Sequence, residues 1–413
     1  VTQIKLLDDV TKGMSFDPRN TAPGLVLDLG GHTIGGSSSQ TSATLSIYQS
    51  MTIKNGTVAY NGTLSDPPSL HNSAILLSGS DTTLTIAEDA VISGGKGYGI
   101  YGSGGTLIVN GTVTSEGDAT ITGNGNNDTG DVDECSITVN DGAVISAPNG
   151  AGIYHPQKGT VTVNGGTISG HTGIAIASGH LSITGGTVSG SGAYVAPTGS
   201  QNEILDGAAV SIVEHNYPGG VPTAAITGGT FTATGKDAKA LHVYIYRNAV
   251  GVWLDCKDYV RVTAGTYSTD PSDYVADGYE AAQEDAFWYV RPAGSYIAEI
   301  TWGDASVKGH KYTSLAAAYA AINAVAETQG ASKAYGKVKL LADVTLDQDL
   351  TIGTTGALQK LALNGHTLTL KGDHKLLVTG DKMVTIEGSG TIRSESTSAD
   401  AYIAVVSSGA GLT

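Results

Sequence analysis

Between residues 136 and 195 the chain spells one pattern of apolar and polar positions three times. Ile137-Thr138-Val139-Asn140-Asp141-Gly142-Ala143-Val144-Ile145-Ser146 is followed by Val161-Thr162-Val163-Asn164-Gly165-Gly166-Thr167-Ile168-Ser169-Gly170. Leu181-Ser182-Ile183-Thr184-Gly185-Gly186-Thr187-Val188-Ser189-Gly190 repeats it again, and a third apolar triplet closes each copy, at 152–154, 173–176 and 193–195. Apolar residues alternate with Thr or Ser, the period of two of a β-strand, and Gly and Asn stand at the turns. No stretch inside a unit of roughly 20 to 24 residues keeps helical spacing long enough to form a helix. A unit so short cannot enclose its own apolar side chains, so successive units must stack. The pattern predicts an all-β parallel β-helix with three short strands per coil.

The alternation also recurs on a larger scale. Lys-Leu-Leu-Asp-Asp-Val-Thr at 5–11 matches Lys-Leu-Leu-Ala-Asp-Val-Thr at 339–345, an offset of 334. Leu-Asp-Leu-Gly-Gly-His-Thr-Ile at 27–34 matches Leu-Ala-Leu-Asn-Gly-His-Thr-Leu at 361–368 at the same offset. Further matches near that offset join 51–53 to 384–386 and 56–58 to 390–392. The expected organisation is a complete module with its closing segment at 1–292, then a capping helix and the first coils of a second, truncated module at 293–413. The helix is expected from Leu315 to about Gln329, with Thr313 or Ser314 as N-cap and Gly330 at its stop. Leu315, Tyr319, Ile322 and Ala326 would form its inner face, and it would cover the open strand edge of the second module. By the offset an equivalent lid is expected ahead of Val1, so the chain reads as a monomeric piece of a longer tandem-module protein.

Composition narrows the class. Charged residues make up 15% of the chain, against roughly 25% in ordinary globular proteins. The 58 glycines fall at turns and not in low-complexity runs. A net charge of -16 argues against nucleic acid and against anionic membrane surfaces as partners. No apolar run reaches the length of a membrane span, so no membrane insertion is expected. Cys135 and Cys256 fall about five coils apart, which at strand spacing exceeds roughly 20 Å, so both are expected as free thiols.

At residues 313–330, 340–345 and 361–368, and in the Gly-Gly-Thr turns at 165, 185 and 228, the chain resembles the pectate-lyase-like superfamily of right-handed parallel β-helices. More narrowly it resembles modular surface proteins of gut-dwelling bacteria. The stretch 266–275 is similar to the closing segment of such modules. The resemblance implies a right-handed winding and an extracellular place, secreted or on the bacterial cell surface. It chooses neither a lyase or glycosidase nor an adhesin, because fold does not imply function.

Four constellations bear on chemistry. Asn55, Asn110, Asn140 and Asn164 each follow the first strand of a coil, where stacked amides serve structure. Asp128, Asp131 and Asp133 lie in an acidic, glycine-containing insertion and are candidate Ca²⁺ ligands, although their spacing does not fit an EF-hand; no other cofactor is expected. In 241–261, alternation points Val243 and Ile245 inward and leaves Tyr244 and Tyr246 outward. It likewise turns Val252 and Leu254 in and Trp253 out. Tyr244, Tyr246, Trp253 and Asp255 are the candidate carbohydrate-binding residues, since aromatic faces stack on sugar rings while polar groups bond hydroxyls.

A catalytic set is missing from the sequence pattern. His155, His171 and His180 fall at turns or strand ends without a carboxylate at regular spacing, and Glu203, Asp206 and Glu214 find no partner. The favoured reading is a non-enzymatic stalk or adhesin whose partner is a glycan or a host-surface protein. The alternative is a polysaccharide lyase or glycoside hydrolase, which needs two or three carboxylates in one cleft.

Overall fold

A computed structural model describes residues 2–16, 24–36, 42–62, 72–125, 134–196, 205–215, 217–247, 252–255, 257–398 and 402–413. The chain is all-β with large parallel sheets and, among the described residues, a single α-helix. It divides into two compact units, Val1–Ala276 and Asp277–Thr413. The hairpin Tyr279–Glu284/Phe287–Pro292 therefore belongs to the second unit.

In the first unit ten short strands stack in one parallel sheet, from Gln3–Lys5 through Leu25–Asp28 to Val260–Val262. Their registers put like residues over like. Leu27, Ile53, Ile86, Val109, Val139, Val163, Ile183, Ile226 and Val262 form one unbroken column. Every member is fully buried. A second column runs Ile34, Val58, Ile92, Val113, Ile145, Ile168, Val188, Phe231, Tyr267. It ends in the stacked rings of Phe231 and Tyr267, 4.8 Å apart. Each such side chain contributes roughly 1.5–3 kcal/mol by leaving water. β-Branched residues dominate because they fit a pleated, close-packed surface.

Two features depart from the alternation pattern. In the repeats at 136–180 the second and third apolar triplets run on as one strand, Val144–His155 and then Thr167–Ile176. They bend at a bulge between Ala147 and Ala151 where separate strands were expected. The triplet 193–195 is no strand at all. Val210–Glu214, beyond an insertion, pairs with Thr167–Ile176 in its place, Ile174 against Val210. Two apolar side chains in three residues satisfy the pattern, but the longer Ala209–Val213 run buries more.

In the second unit Ser314 caps the helix Leu315–Gln329, its Oγ accepting from Ala317 N at 3.1 Å, and Gly330 ends it at φ 96°. Leu315, Ala318, Tyr319, Ile322 and Val325 are its buried face; Ala326 is only half-buried. The strand edge expected under this helix is instead taken by an antiparallel strand, Ala298–Gly303, which pairs with Gly336–Leu340. The helix packs into the same core as that pair. A strand satisfies an edge's open backbone groups, which a helix cannot. No described helix is long and apolar enough to cross a membrane.

Candidate functional site

The strand Leu241–Arg247 lies in parallel on Val210–Glu214, with Ser211 against His242 and Val213 against Tyr244. Val243 and Ile245 point inward and are buried, as their alternation predicts. The chain then returns antiparallel as Val252–Asp255. This hairpin sets Tyr244 opposite Asp255 and Tyr246 opposite Trp253 in backbone register, so the four predicted residues form two cross-strand pairs. The return strand corrects one expectation: Leu254, opposite the buried Ile245, is not enclosed but 44% exposed. As the outer arm of a hairpin it lies beyond the parallel stack, so period-two alternation no longer points into a core.

Tyr244 is half-buried with its ring edge-on to His242, 4.2 Å between centroids. Burial pushes its hydroxyl up to about 12, and a hydrogen bond with Tyr194 pushes the same way. Tyr274 donates to Asp255 Oδ1 at 3.0 Å, and burial with the Asp255 charge raises its pKa too. Asp255 is exposed yet fixed in place. Tyr274 is itself buried, and its one proton is given to Asp255, so its role here is to position that carboxyl group.

Beneath Tyr244 lies a pair that corrects the reading of Asp206 as unpartnered. Asp206 is fully buried and accepts from His242 Nδ1 at 2.5 Å, Ser211 Oγ at 2.7 Å and Ala208 N at 3.0 Å. Thr172 Oγ1 adds a bond at 3.4 Å. His242 Nε2 is buried with no hydrogen-bond partner among the described residues. Tyr194 packs on the ring from a second side, 5.2 Å away. His242 occupies an outward position of its strand, so its burial comes from the chain around Asp206 folding over this face. The sequence signal was a polar residue between Leu241 and Val243; its partner stands 36 residues earlier, across an insertion.

His155, His171 and His180 also find definite places. His155 ends its strand and is buried, with Nε2 2.8 Å from Cys135 O and Nδ1 3.2 Å from Ser178 O. Burial outweighs these carbonyls and lowers its pKa. His180 Nδ1 meets Thr223 Oγ1 at 2.8 Å. His171 lies within the strand Thr167–Ile176, not at a turn or end. Cys135 is a free, buried thiol, and Cys256 lies outside the described residues. Asp128, Asp131, Asp133 and Glu203 also lie outside them. Among the described residues no group of three or more His, Cys, Asp or Glu could hold a metal ion.

Away from the hairpin, a hollow of about 300 Å³ is lined by Lys96, Tyr98, Glu116, Asp118 and Asn149. Three equivalent chain segments build it. Glu116 N donates to Gly95 O at 2.6 Å, Asn149 Nδ2 to Glu116 O at 3.0 Å, and Ala151 N to Asp118 O at 2.8 Å. In sequence these polar residues are far apart; parallel stacking brings the turns 94–97 and 115–118 beside the bulge at 147–151.

No family model matches the chain, and no curated protein or solved structure matches it.

Proposed function

We propose that this is a secreted or cell-surface bacterial protein built from tandem right-handed parallel β-helix modules, three strands to a coil. In this reading it serves as a stalk or adhesin that touches glycans through the hairpin at 241–255. The observation that carries the reading is the pairing of Tyr244 with Asp255 and Tyr246 with Trp253 across that hairpin. Aromatic faces beside hydroxyl and carboxylate groups offer a sugar both its stacking surface and its hydrogen bonds. Duplication of the module supports the stalk role, since stacked repeats extend a chain without new folds. A glycan array probed with the full chain tests the binding, with Trp253→Ala and Tyr244→Ala as controls. Retention of at least one glycan class, lost in both variants, is the expected result; an array with no retained glycan would remove the reading.

The hollow at Lys96 favours a second reading, a polysaccharide-cleaving enzyme. Glu116 and Asp118 line it together from one turn, and glycoside cleavage uses a pair of carboxyl groups at its cleft. Incubation with a polysaccharide panel distinguishes the two. New reducing ends or unsaturated products that vanish in Glu116→Gln would establish this reading over the first.

A further inference from the structure

The two sequence-related modules differ in how their first strand is finished. In the second unit Gly336–Leu340 has a parallel neighbour, Gln359–Ala362, on one side and the antiparallel strand Ala298–Gly303 on the other. Leu341 N donates to Ile297 O at 2.9 Å along that outer edge, and Lys339 Nζ meets Glu299 at 2.7 Å. With the helix Leu315–Gln329 in the same core, Val338 and Leu340 are fully buried.

Gln3–Lys5 is the counterpart of 337–339, 334 positions earlier. It pairs in parallel with Leu25–Asp28. Leu6 N donates to Asp28 O at 2.9 Å and Thr2 O accepts from Val26 N at 3.0 Å. Alternation therefore turns the backbone groups of residues 3, 5 and 7 toward the opposite side. There Ile4, counterpart of the buried Val338, is 37% exposed, and Leu7 is 86% exposed. Lys5 stands where Lys339 meets its glutamate. Among the described residues no strand pairs with that side, and an unpaired edge beside exposed apolar side chains is a template for strand addition.

We propose that the edge formed by residues 3–7 is an interaction surface for a capping segment: an antiparallel strand followed by an N-capped helix, patterned like 296–330. The strand places an acid opposite Lys5 and an apolar residue opposite Ile4, and the helix covers Leu7. Its charge pattern is the one already complementary to the same strand in the second unit. The glycan reading is not needed for it.

The test is to join a copy of residues 293–334 ahead of Val1 in the full chain and to follow amide hydrogen exchange by mass spectrometry. Exchange across residues 3–7 is expected to slow by about tenfold or more, and Ile4→Asp is expected to abolish the slowing. Unchanged exchange, with the added helix folded by circular dichroism, would overturn the proposal. Protection already present in the unextended chain and rising with protein concentration would also overturn it, by giving the edge to a second copy.

Discussion

Asp206 shows how much a single side chain can hold. Its carboxylate is fully buried and gathers His242, Ser211 and a backbone amide. Asp206→Ala leaves those donors in a dry interior, and an unpaired buried polar set costs about 3–5 kcal/mol. Urea unfolding is expected to show a loss of that size; a loss below about 1 kcal/mol would contradict the pairing. His155 bears on pH. Burial holds its imidazole below the ordinary value of 6.5, so the unfolded chain binds the extra proton first. Stability is thus flat above that value and falls as pH drops below it toward the folded pKa. His310, lowered by burial too, adds to the same window. Unfolding free energy measured across it should decline with acid, and His155→Gln should flatten part of the decline. An unchanged slope in that variant would remove His155 as a contributor. Neither residue was legible in the sequence as a buried group. The chain covering His242 follows an insertion without repeat pattern, and His155 occupies an inward position where alternation leads one to expect a hydrocarbon.

At the scale of elements, stacking makes amides count in rows. Asn140 Nδ2 donates to Asn110 Oδ1 at 2.8 Å, and Asn164 Nδ2 to Asn140 Oδ1 at 2.9 Å. Asn140→Ala breaks both bonds at once and is expected to cost about 1–3 kcal/mol in denaturant unfolding, at roughly 0.5–1.5 per bond. Asn110→Ala, which loses only one of these two bonds, should cost about half as much; equal costs would contradict a ladder. This row is readable, because Asn110, Asn140 and Asn164 follow the first strand of three successive coils and so recur one strand apart. The apolar columns were readable for the same reason. The hairpin is not: alternation reports which face a residue takes but not whether a strand continues the stack or turns back, so it does not show that Leu254 lies beyond the core. The bulge at 147–151 is not legible, because its two extra residues keep the period-two facing on either side.

Over each whole unit, the account rests on strands that advance one parallel step per repeat. The 334-residue offset and the shared motifs made that order visible, whereas the closing of the second module's edge by Ala298–Gly303 depends on a segment outside the repeat. The outward column Val91, Thr112, Val144, Thr167, Thr187, Thr230, Thr266 provides a ruler within the first unit. Spin labels at Val91 paired with Thr187, Thr230 or Thr266, with both native cysteines replaced, report backbone separations by double electron–electron resonance. Parallel stacking predicts about 19, 24 and 29 Å, one strand spacing more at each step. Distances that fail to lengthen in that order would contradict the stacked architecture from which every functional inference above proceeds.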